Sequence, residues 1–439
     1  MASTYLTRTP SSSGNLRTFT FSAWFKKSAT NAGYLFGAGD MSDGDPSVAI
    51  EAGETIQFRV YAGGHISRLI PTQVARDNSA WYHYVVGVDT TQATASNRVK
   101  VYINGTQVTD FSTEDYMTQN YDTVVNSSSY AQRVGDRGGS QFNGCMAHVH
   151  LIDGTQYAAS DFGETDSTSG IWKPKTNPSV TYGTNGFFLK FANSASLGLD
   201  SSGNSNNLTV SGTGTQTQDT PSNVFAVLNP LTGATHTGLT LANGNLTIDG
   251  NTGTAWRSLM ATLGVSSGKW YYEVKVKNLN DNVRIGLIDV DQMLQTNGYF
   301  NSKARGYAYN NDGQKSNNNS SASYGNSYTT NDIIGVAMDL DNGKLYFSKN
   351  GTYQNSGVPT SGSTGTGSAY DISSGYTYAP CIATYTATDK LECNFGNGRF
   401  GTTALASSNS DGNGYGLFEY SVPTGYYALC TKNIKLYGG

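Results

Sequence analysis

A two-residue alternation of apolar and polar side chains constrains this chain more than any other feature. In Thr18-Phe-Thr-Phe-Ser-Ala-Trp-Phe-Lys26 the side chains of Phe19, Phe21 and Ala23 fall on one face of an extended segment. The same pattern returns at residues 56–61, 81–89, 99–103 and 147–152, and again beyond residue 247 at 269–276, 282–288, 333–340, 344–348 and 378–382. Gly, Asn and Asp clusters separate these runs, and Asn104-Gly105 and Asp153-Gly154 are hairpin-turn signals because both residue types tolerate the left-handed region. No long segment has the 3.6-residue period of a helix. The chain is therefore expected to be all-β, two tandem antiparallel β-sandwiches.

Length and composition agree with that expectation. At 439 residues the chain exceeds what one hydrophobic core normally serves, which favours two domains. Only 14% of residues are charged, against roughly 25% in an ordinary globular protein, while 52 Gly and 29 Tyr supply turns and pleated surface. A net charge of -4 with no basic stripe argues against nucleic acid as a partner. The apolar runs are far shorter than the roughly 20 residues of a spanning helix, so no membrane insertion is expected. The first residues show no basic segment followed by an apolar run, which predicts folding in a reducing cytoplasm. Cys145, Cys381, Cys393 and Cys430 are widely spaced without a CxxC pair, the pattern of unbridged thiols.

The alternation weakens between about Gly163 and Pro221, a stretch rich in Gly, Ser, Asn and Thr. We expect a first sandwich over residues 1–165, a connector with a returning strand over 166–228, and a second sandwich over 229–439. The connector should be protease-sensitive between Ser194 and Pro221.

Specific motifs sharpen the picture. Residues 18–26, Trp81-Tyr-His-Tyr-Val-Val86, Val99-Lys-Val-Tyr-Ile-Asn-Gly105 and Gly144-Cys-Met-Ala-His-Val-His-Leu151 make the first domain resemble the laminin-G-like, concanavalin-A-like jelly roll. The second domain resembles a SPRY domain, with Ser267-Gly-Lys-Trp-Tyr-Tyr-Glu-Val274, Ile334-Gly-Val-Ala-Met-Asp-Leu-Asp341, Gly343-Lys-Leu-Tyr-Phe-Ser-Lys-Asn-Gly351, Tyr378-Ala-Pro-Cys-Ile382 and Glu392-Cys-Asn-Phe-Gly396 in the family's order. Between them, Phe162-Gly-Glu-Thr-Asp166, Ile171-Trp-Lys-Pro174, Tyr182-Gly-Thr-Asn-Gly-Phe187, Leu199-Asp-Ser-Ser-Gly-Asn204 and Asp219-Thr-Pro-Ser-Asn223 resemble a linker in virion structural proteins of marine tailed phages that join the same two modules. Such proteins often continue past the equivalent of residues 428–433. The resemblance implies a bacteriophage setting, with the protein made in the host cytoplasm and displayed on the virion surface in many copies or as a homo-oligomer.

Enzymatic chemistry finds little support in the sequence. The glucanases of the jelly-roll class need paired carboxylates on one strand, and the nearest candidate, Glu164 with Asp166, lacks a third acid. Serine-nucleophile, phosphate-loop and zinc-protease motifs are absent. His148 and His150, two apart on a strand, would share a face and bind a metal if His83 joined them, although hydrogen-bonded histidines on a half-buried face are the plainer reading. Asp40, Asp43 and Asp45 surround a glycine in one loop, a carboxylate set that suits Ca2+, with an acidic solvated turn as the plainer reading. No other cofactor is expected.

Binding chemistry is better represented. Tyr299, Tyr307, Tyr309, Tyr324 and Tyr328 are interleaved with Asn310 and Asn311 in what reads as a long non-periodic SPRY loop, and Tyr with Asn suits sugar and protein recognition. The expected function is a non-enzymatic decoration or fibre component, on head or tail, whose lectin-like modules hold a host-surface glycan or receptor. The alternatives are a purely structural protein that binds other virion proteins and, disfavoured, a glycan hydrolase. The first strand begins near residue 18, which tilts the expectation toward attachment through a sandwich surface.

Overall fold

In the computed structural model the described residues are 4–29, 31–39, 46–167, 170–232, 238–251, 253–293 and 298–438. Two compact units, Met1–Gln216 and Thr217–Gly439, divide the chain. Each is a sandwich of two antiparallel sheets. Among the described residues no helix is long and apolar enough to cross a membrane.

The strands of the first unit are β1 (Tyr5–Arg8), β2 (Thr18–Lys27), β3 (Tyr34–Gly39), β4 (Ser47–Ala52), β5 (Ile56–Tyr61), β6 (His65–Pro71), β7 (Trp81–Asp89), β8 (Val99–Ile103), β9 (Thr106–Gln107), β10 (Phe111–Asp115), β11 (Gln132–Val134), β12 (Gly144–Asp153), β13 (Gly163–Thr165), β14 (Trp172–Pro174), β15 (Phe187–Leu189) and β16 (Thr209–Ser211). An eight-stranded sheet runs β10-β6-β5-β4-β3-β11-β1-β16 and faces a six-stranded sheet, β15-β12-β2-β7-β8-β9. The alternation of β2 carries through as expected. Phe19, Phe21, Ala23 and Phe25 point into the core with Tyr84, Val86 and Val88 of β7, against Phe36, Ile50, Phe58 and Leu69 of the opposite sheet. Asn104 and Gly105 adopt positive φ, 49° and 85°, at the β8–β9 turn, as their side chains allow.

The second unit contains β17 (Leu239–Ala242), β18 (Thr247–Asn251), β19 (Arg257–Met260), β20 (Lys269–Asn278), β21 (Val283–Asp289), β22 (Gly306–Asn310), β23 (Gln314–Asn317), β24 (Ser320–Ser323), β25 (Ile333–Asp339), β26 (Lys344–Lys349), β27 (Thr352–Tyr353), β28 (Tyr370–Asp371), β29 (Tyr378–Thr384) and β30 (Lys390–Asn394). One sheet runs β17-β18-β30-β20-β25-β26-β27 and the other β19-β29-β21-β22-β23-β24. Trp270, Tyr272, Val336 and Phe347 of the first meet Ile285, Leu287, Tyr309 and Ile382 of the second.

The connector expected over 166–228 is not a separate piece. β15 adds to β12 and β16 adds to β1, so two strands return to the first sandwich where one was expected. Asp200 pins the intervening loop by accepting from the backbone N–H groups of Phe188, Ser202 and Asn206, each at 2.8 Å. Past Gln216 the chain belongs to the second unit, where Phe225 bridges to Cys430 and is buried.

Residues 155–190 also cover the outer face of the six-stranded sheet. Val85 and Ile152, off-phase residues of β7 and β12, are buried there with Ala159, Phe162 and Trp172. The three histidines of interest lie in this layer. Trp172 donates from Nε1 to Nδ1 of His83 at 3.0 Å, which leaves His83 Nε2–H to donate to Ser22 Oγ at 2.9 Å. His150 stacks on Phe188 with ring centroids 3.9 Å apart and shares a hydrogen bond of 2.9 Å with the Tyr182 hydroxyl. A bulge between Ala147 and His150 gives His148 a φ of 47°, and its ring still lies on the same face as that of His150, 6.4 Å away, with Phe188 against both. Among the described residues no group of three His, Cys, Asp or Glu side chains is placed to hold a metal.

Two outcomes follow. A chain cut after residue 165 loses β15, β16 and the Trp172, Val180 and Tyr182 part of the cover over Val85 and Ile152, so it should lack a cooperative unfolding transition while a chain of residues 1–216 retains one; circular dichroism melts of both compare them. Burial holds His83 down to about 3 and His148 to about 4, and His150 well below the ordinary value of 6.5. In the unfolded chain these groups take up protons as pH falls through 6.5 while the folded chain stays neutral, so their neutral burial is compatible with full stability above that pH and costs stability below it. Each contributes a loss of up to about 1.4 kcal/mol per pH unit. The urea midpoint of the first unit should therefore fall steeply from pH 6.5 to pH 4.5; a flat profile would contradict the neutral buried layer.

Candidate functional site

The tyrosines expected to bind a partner mostly form core. The segment read as a long loop over 299–328 is instead the three-stranded meander β22-β23-β24. Its Tyr-Ala-Tyr-Asn alternation sends Tyr307 and Tyr309 inward, 4% and 0% exposed. Tyr309 packs against Tyr324, Tyr328 and Phe347 with ring centroids 5.1 to 5.5 Å apart. Its hydroxyl donates to the Asn326 carbonyl, and that of Tyr328 donates to the Tyr309 carbonyl at 2.9 Å. The Tyr324 hydroxyl accepts from the Phe347 N–H, and burial pushes its phenol up to about 12. Asn310 accepts from Ser316 Oγ at 2.7 Å, while Asn311 accepts from the Val283 N–H at 3.1 Å and donates to the Asp281 carbonyl. Of the seven residues, Tyr299 keeps a binding-type setting: it is part-exposed, and its hydroxyl donates to Asn319 Oδ1 at 3.1 Å.

The reason for this correction is that a tyrosine reads the same in sequence whether it packs or binds. Replacing Tyr307 and Tyr309 by Ala should unfold the second unit rather than spare it, at a cost of about 3–5 kcal/mol per ring. The denaturant midpoint of that unit measures it, and a double variant with unchanged stability would restore the binding reading.

Asp40, Asp43 and Asp45, proposed as Ca2+ ligands, lie outside the described residues. Glu164 and Asp166 both reach Lys173, at 3.6 and 2.8 Å, so the nearest candidates for catalytic acids share one ammonium. A shallow polar depression of about 480 Å³ at the edge of the second sandwich is lined by Ser323, Tyr324, Gly325, Asn326, Gln354 and Asn355.

The site that sequence reasoning missed is the outer face of the eight-stranded sheet. Its strands place inward residues in the core, which turns the off-phase ones outward. In register across the sheet stand Asp115, Arg68, Arg59, Ala49, Gly37, Arg133 and Thr7. A second row sets His65 and Tyr61 beside Ser47, and a third sets Gln57 and Glu51 beside Tyr34. Small residues thus form the floor at β3 and β4, and arginines and tyrosines rise around it. Arg59 binds both Glu51 and the Tyr34 hydroxyl. Arg137 reaches over the same Tyr34 ring, 5.5 Å from its centroid. Its loop is held by Asp136, which accepts from the N–H groups of Gly138 and Gly139. Between Arg59, Tyr61, His65 and Arg137 a cavity of about 20 Å³ remains over Ser47 and Ala49. Burial first, then the charges of Arg68 and Arg59, lower the pKa of His65. The signal is present in the polar off-phase residues of β5, Gln57, Arg59 and Tyr61, whose alternation also marks the strand.

Comparison with known proteins agrees with the two folds. Residues 2–160 match the concanavalin A-like lectin/glucanases superfamily and residues 269–397 match the SPRY domain. Among curated proteins, the chain is 33% identical over 96 residues to the ATP-dependent RNA helicase DDX1 of Xenopus laevis, covering 22% of this chain and 12% of the helicase. It is 35% identical over 104 residues to the Drosophila melanogaster Ddx1 helicase, covering 24% and 13%. The chain thus spans only about an eighth of these relatives, and the matched part is SPRY sequence alone. Among solved structures, the SPRY domain of human HERC1 is 19% identical with a TM-score of 0.26, over 33% of this chain and 85% of that one. Another human SPRY domain is 17% identical with a TM-score of 0.27, over 34% and 90%. The chain is thus a tandem of a concanavalin A-like, laminin-G-type domain and a SPRY domain.

Proposed function

We propose that this chain is a non-enzymatic binding protein of a tailed-phage virion surface, and that its first domain binds through the outer face of the eight-stranded sheet. One observation carries the choice of face. Three of the four outer sheet faces in the two sandwiches carry satellite apolar clusters over part of their area: Val85, Ile152 and Phe162 on the six-stranded sheet of the first unit; Ile288, Met293 and Phe300 on the sheet of β21; and Tyr271, Phe418 and Tyr426 on the sheet of β20. Among the described residues the fourth has no such cluster. It presents Tyr34, Tyr61, Arg59, Arg68 and Arg137, residue types that dominate recognition surfaces because they combine rigid rings with directed donors.

The virion setting rests on the linker-like motifs between Phe162 and Asn223. A host-surface glycan or receptor is the ligand this face suits, with modest affinity per copy multiplied by display in many copies. Other virion proteins are the partners for attachment to the particle. The pairing of Glu164 and Asp166 with one lysine supports a protein without hydrolase activity.

The double substitution Arg68→Ala with Arg137→Ala tests the face. The Nε atoms of both arginines are buried without a hydrogen-bond partner, and the other contacts they give up are a long hydrogen bond from Arg68 to Gln57 at 3.4 Å and the packing of Arg137 on Tyr34, so stability should fall by no more than about 1.5 kcal/mol. Adsorption of fluorescently labelled protein to host cells should fall about tenfold or more, as expected for losing interface arginines. Unaltered adsorption by the folded variant would remove this face from consideration.

A further inference from the structure

In the second unit, Arg284 of β21 points outward between Ala383 of β29 and Asn310 of β22. Its guanidinium carbon lies 4.3 Å from the ring centroid of Trp256 and 4.2 Å from that of Tyr299. The two rings stand at 70° to one another, and Tyr385 packs against Trp256 at 5.3 Å. One N–H, on Nη1, donates to Asn301 Oδ1 at 2.9 Å. Asn301 is 1% exposed and is held in turn by Ser316, which also donates to Asn310. A chain of buried amides and a hydroxyl therefore fixes the guanidinium plane.

No carboxylate pairs with Arg284 among the described residues, and its remaining N–H donors have no protein partner and are not sealed from solvent. Burial lowers its pKa from the ordinary value, against weaker attraction from Tyr299 and Asp312. A cation that is partly desolvated, oriented and unneutralised is a poor structural element by itself, since a surface arginine can relax into water.

We propose that Arg284, flanked by Trp256, Tyr299 and Asn319, is a binding site for the carboxylate of an acidic saccharide. With Trp256 and Tyr299 packed against the guanidinium, an incoming group meets its edge. That edge offers parallel N–H donors in one plane, the geometry that matches a planar two-oxygen acceptor. The surrounding groups suit a sugar rather than a bare ion. Asn319 is exposed and accepts from the Tyr299 hydroxyl, so an amide and a phenol stand ready for sugar hydroxyls, and the partly exposed faces of Trp256 and Tyr385 offer apolar surface for a pyranose ring. The site is on the second domain and is independent of the face proposed for the first.

Titration calorimetry on the full chain with an oligogalacturonate tests it, with the matching neutral galactose oligomer, a sulfated oligosaccharide and a glutamate-rich peptide as comparisons. The uronate should bind, and the neutral oligomer should bind at least about tenfold more weakly, as loss of a charge-assisted pair implies. Arg284→Gln should weaken the uronate by a similar factor. Arg284→Lys, which keeps the charge but not the fork, should fall between the two. Tyr299→Phe keeps the ring over Arg284 and removes only the hydroxyl, so it provides a fold-neutral variant expected to lose a few-fold in affinity. Equal binding of the neutral oligomer, or uronate binding that survives both Arg284→Gln and Tyr299→Phe, overturns the proposal. Tighter binding of the sulfated sugar overturns the planar-carboxylate assignment, and tighter binding of the peptide overturns the saccharide.

Discussion

Every strand has two faces, and a sandwich core can bury only one of them. The inner faces here meet in two conventional cores, led by Phe21, Tyr84 and Phe58 in one unit and Trp270, Tyr272 and Tyr309 in the other. The remaining problem is the off-phase residues. Where they are apolar, as at Val85, Ile152, Ile288 and Tyr271, exposure of each would forgo about 1.5–3 kcal/mol of burial, so the chain must bring a cover. Much of the sequence outside the strands is that cover.

The covers are held by polar contacts made in dry surroundings. In the first unit Trp172 joins the strap to the sheet through His83, and Gly105 and Gly163 leave room for its indole; a Cβ at either position would stand within 3.0 Å of it. In the second, Glu273 of β20 is fully buried beneath the C-terminal segment. Its carboxylate accepts from the N–H groups of Glu419 and Tyr420, both at 2.9 Å, and from the Tyr271 hydroxyl at 3.1 Å. Burial pushes this group up to about 7 while the donors pull the other way. One carboxylate thus carries the hydrogen bonding of a strap that Phe418 and Tyr426 anchor by packing.

That division explains what could be read from the sequence. Long strands with a clean period, such as Thr18–Lys27 and Lys269–Asn278, were legible because many residues vote for one phase. β15 and β16 were not resolved as a pair of strands, since three residues hold barely one and a half periods and their place is set by partners far away in sequence. The tyrosine-rich meander was misjudged for a different reason. Tyr307 and Tyr309 obey the strand period, but their hydroxyls make them look like surface residues until the internal acceptors at Asn326 and elsewhere in the core are known. Cys381, Cys393 and Cys430 are buried and unbridged as expected, while Cys145 is only half-buried.

The same logic locates function. A sheet face sealed by a strap is spoken for, because removing the strap exposes apolar surface and unfolds the layer beneath it. Binding must then use surface whose residues tolerate water in the free protein, and the face of β3 to β6 meets that condition through arginines and tyrosines lying over small residues. Its ion pair of Arg59 with Glu51 also ties down Tyr34 and so keeps the surface ordered before any ligand arrives. Preorganisation of this kind reduces the side-chain entropy lost on association. The first sandwich, with the outer face of its six-stranded sheet covered, can therefore keep the outer face of the other sheet both stable and open to a partner.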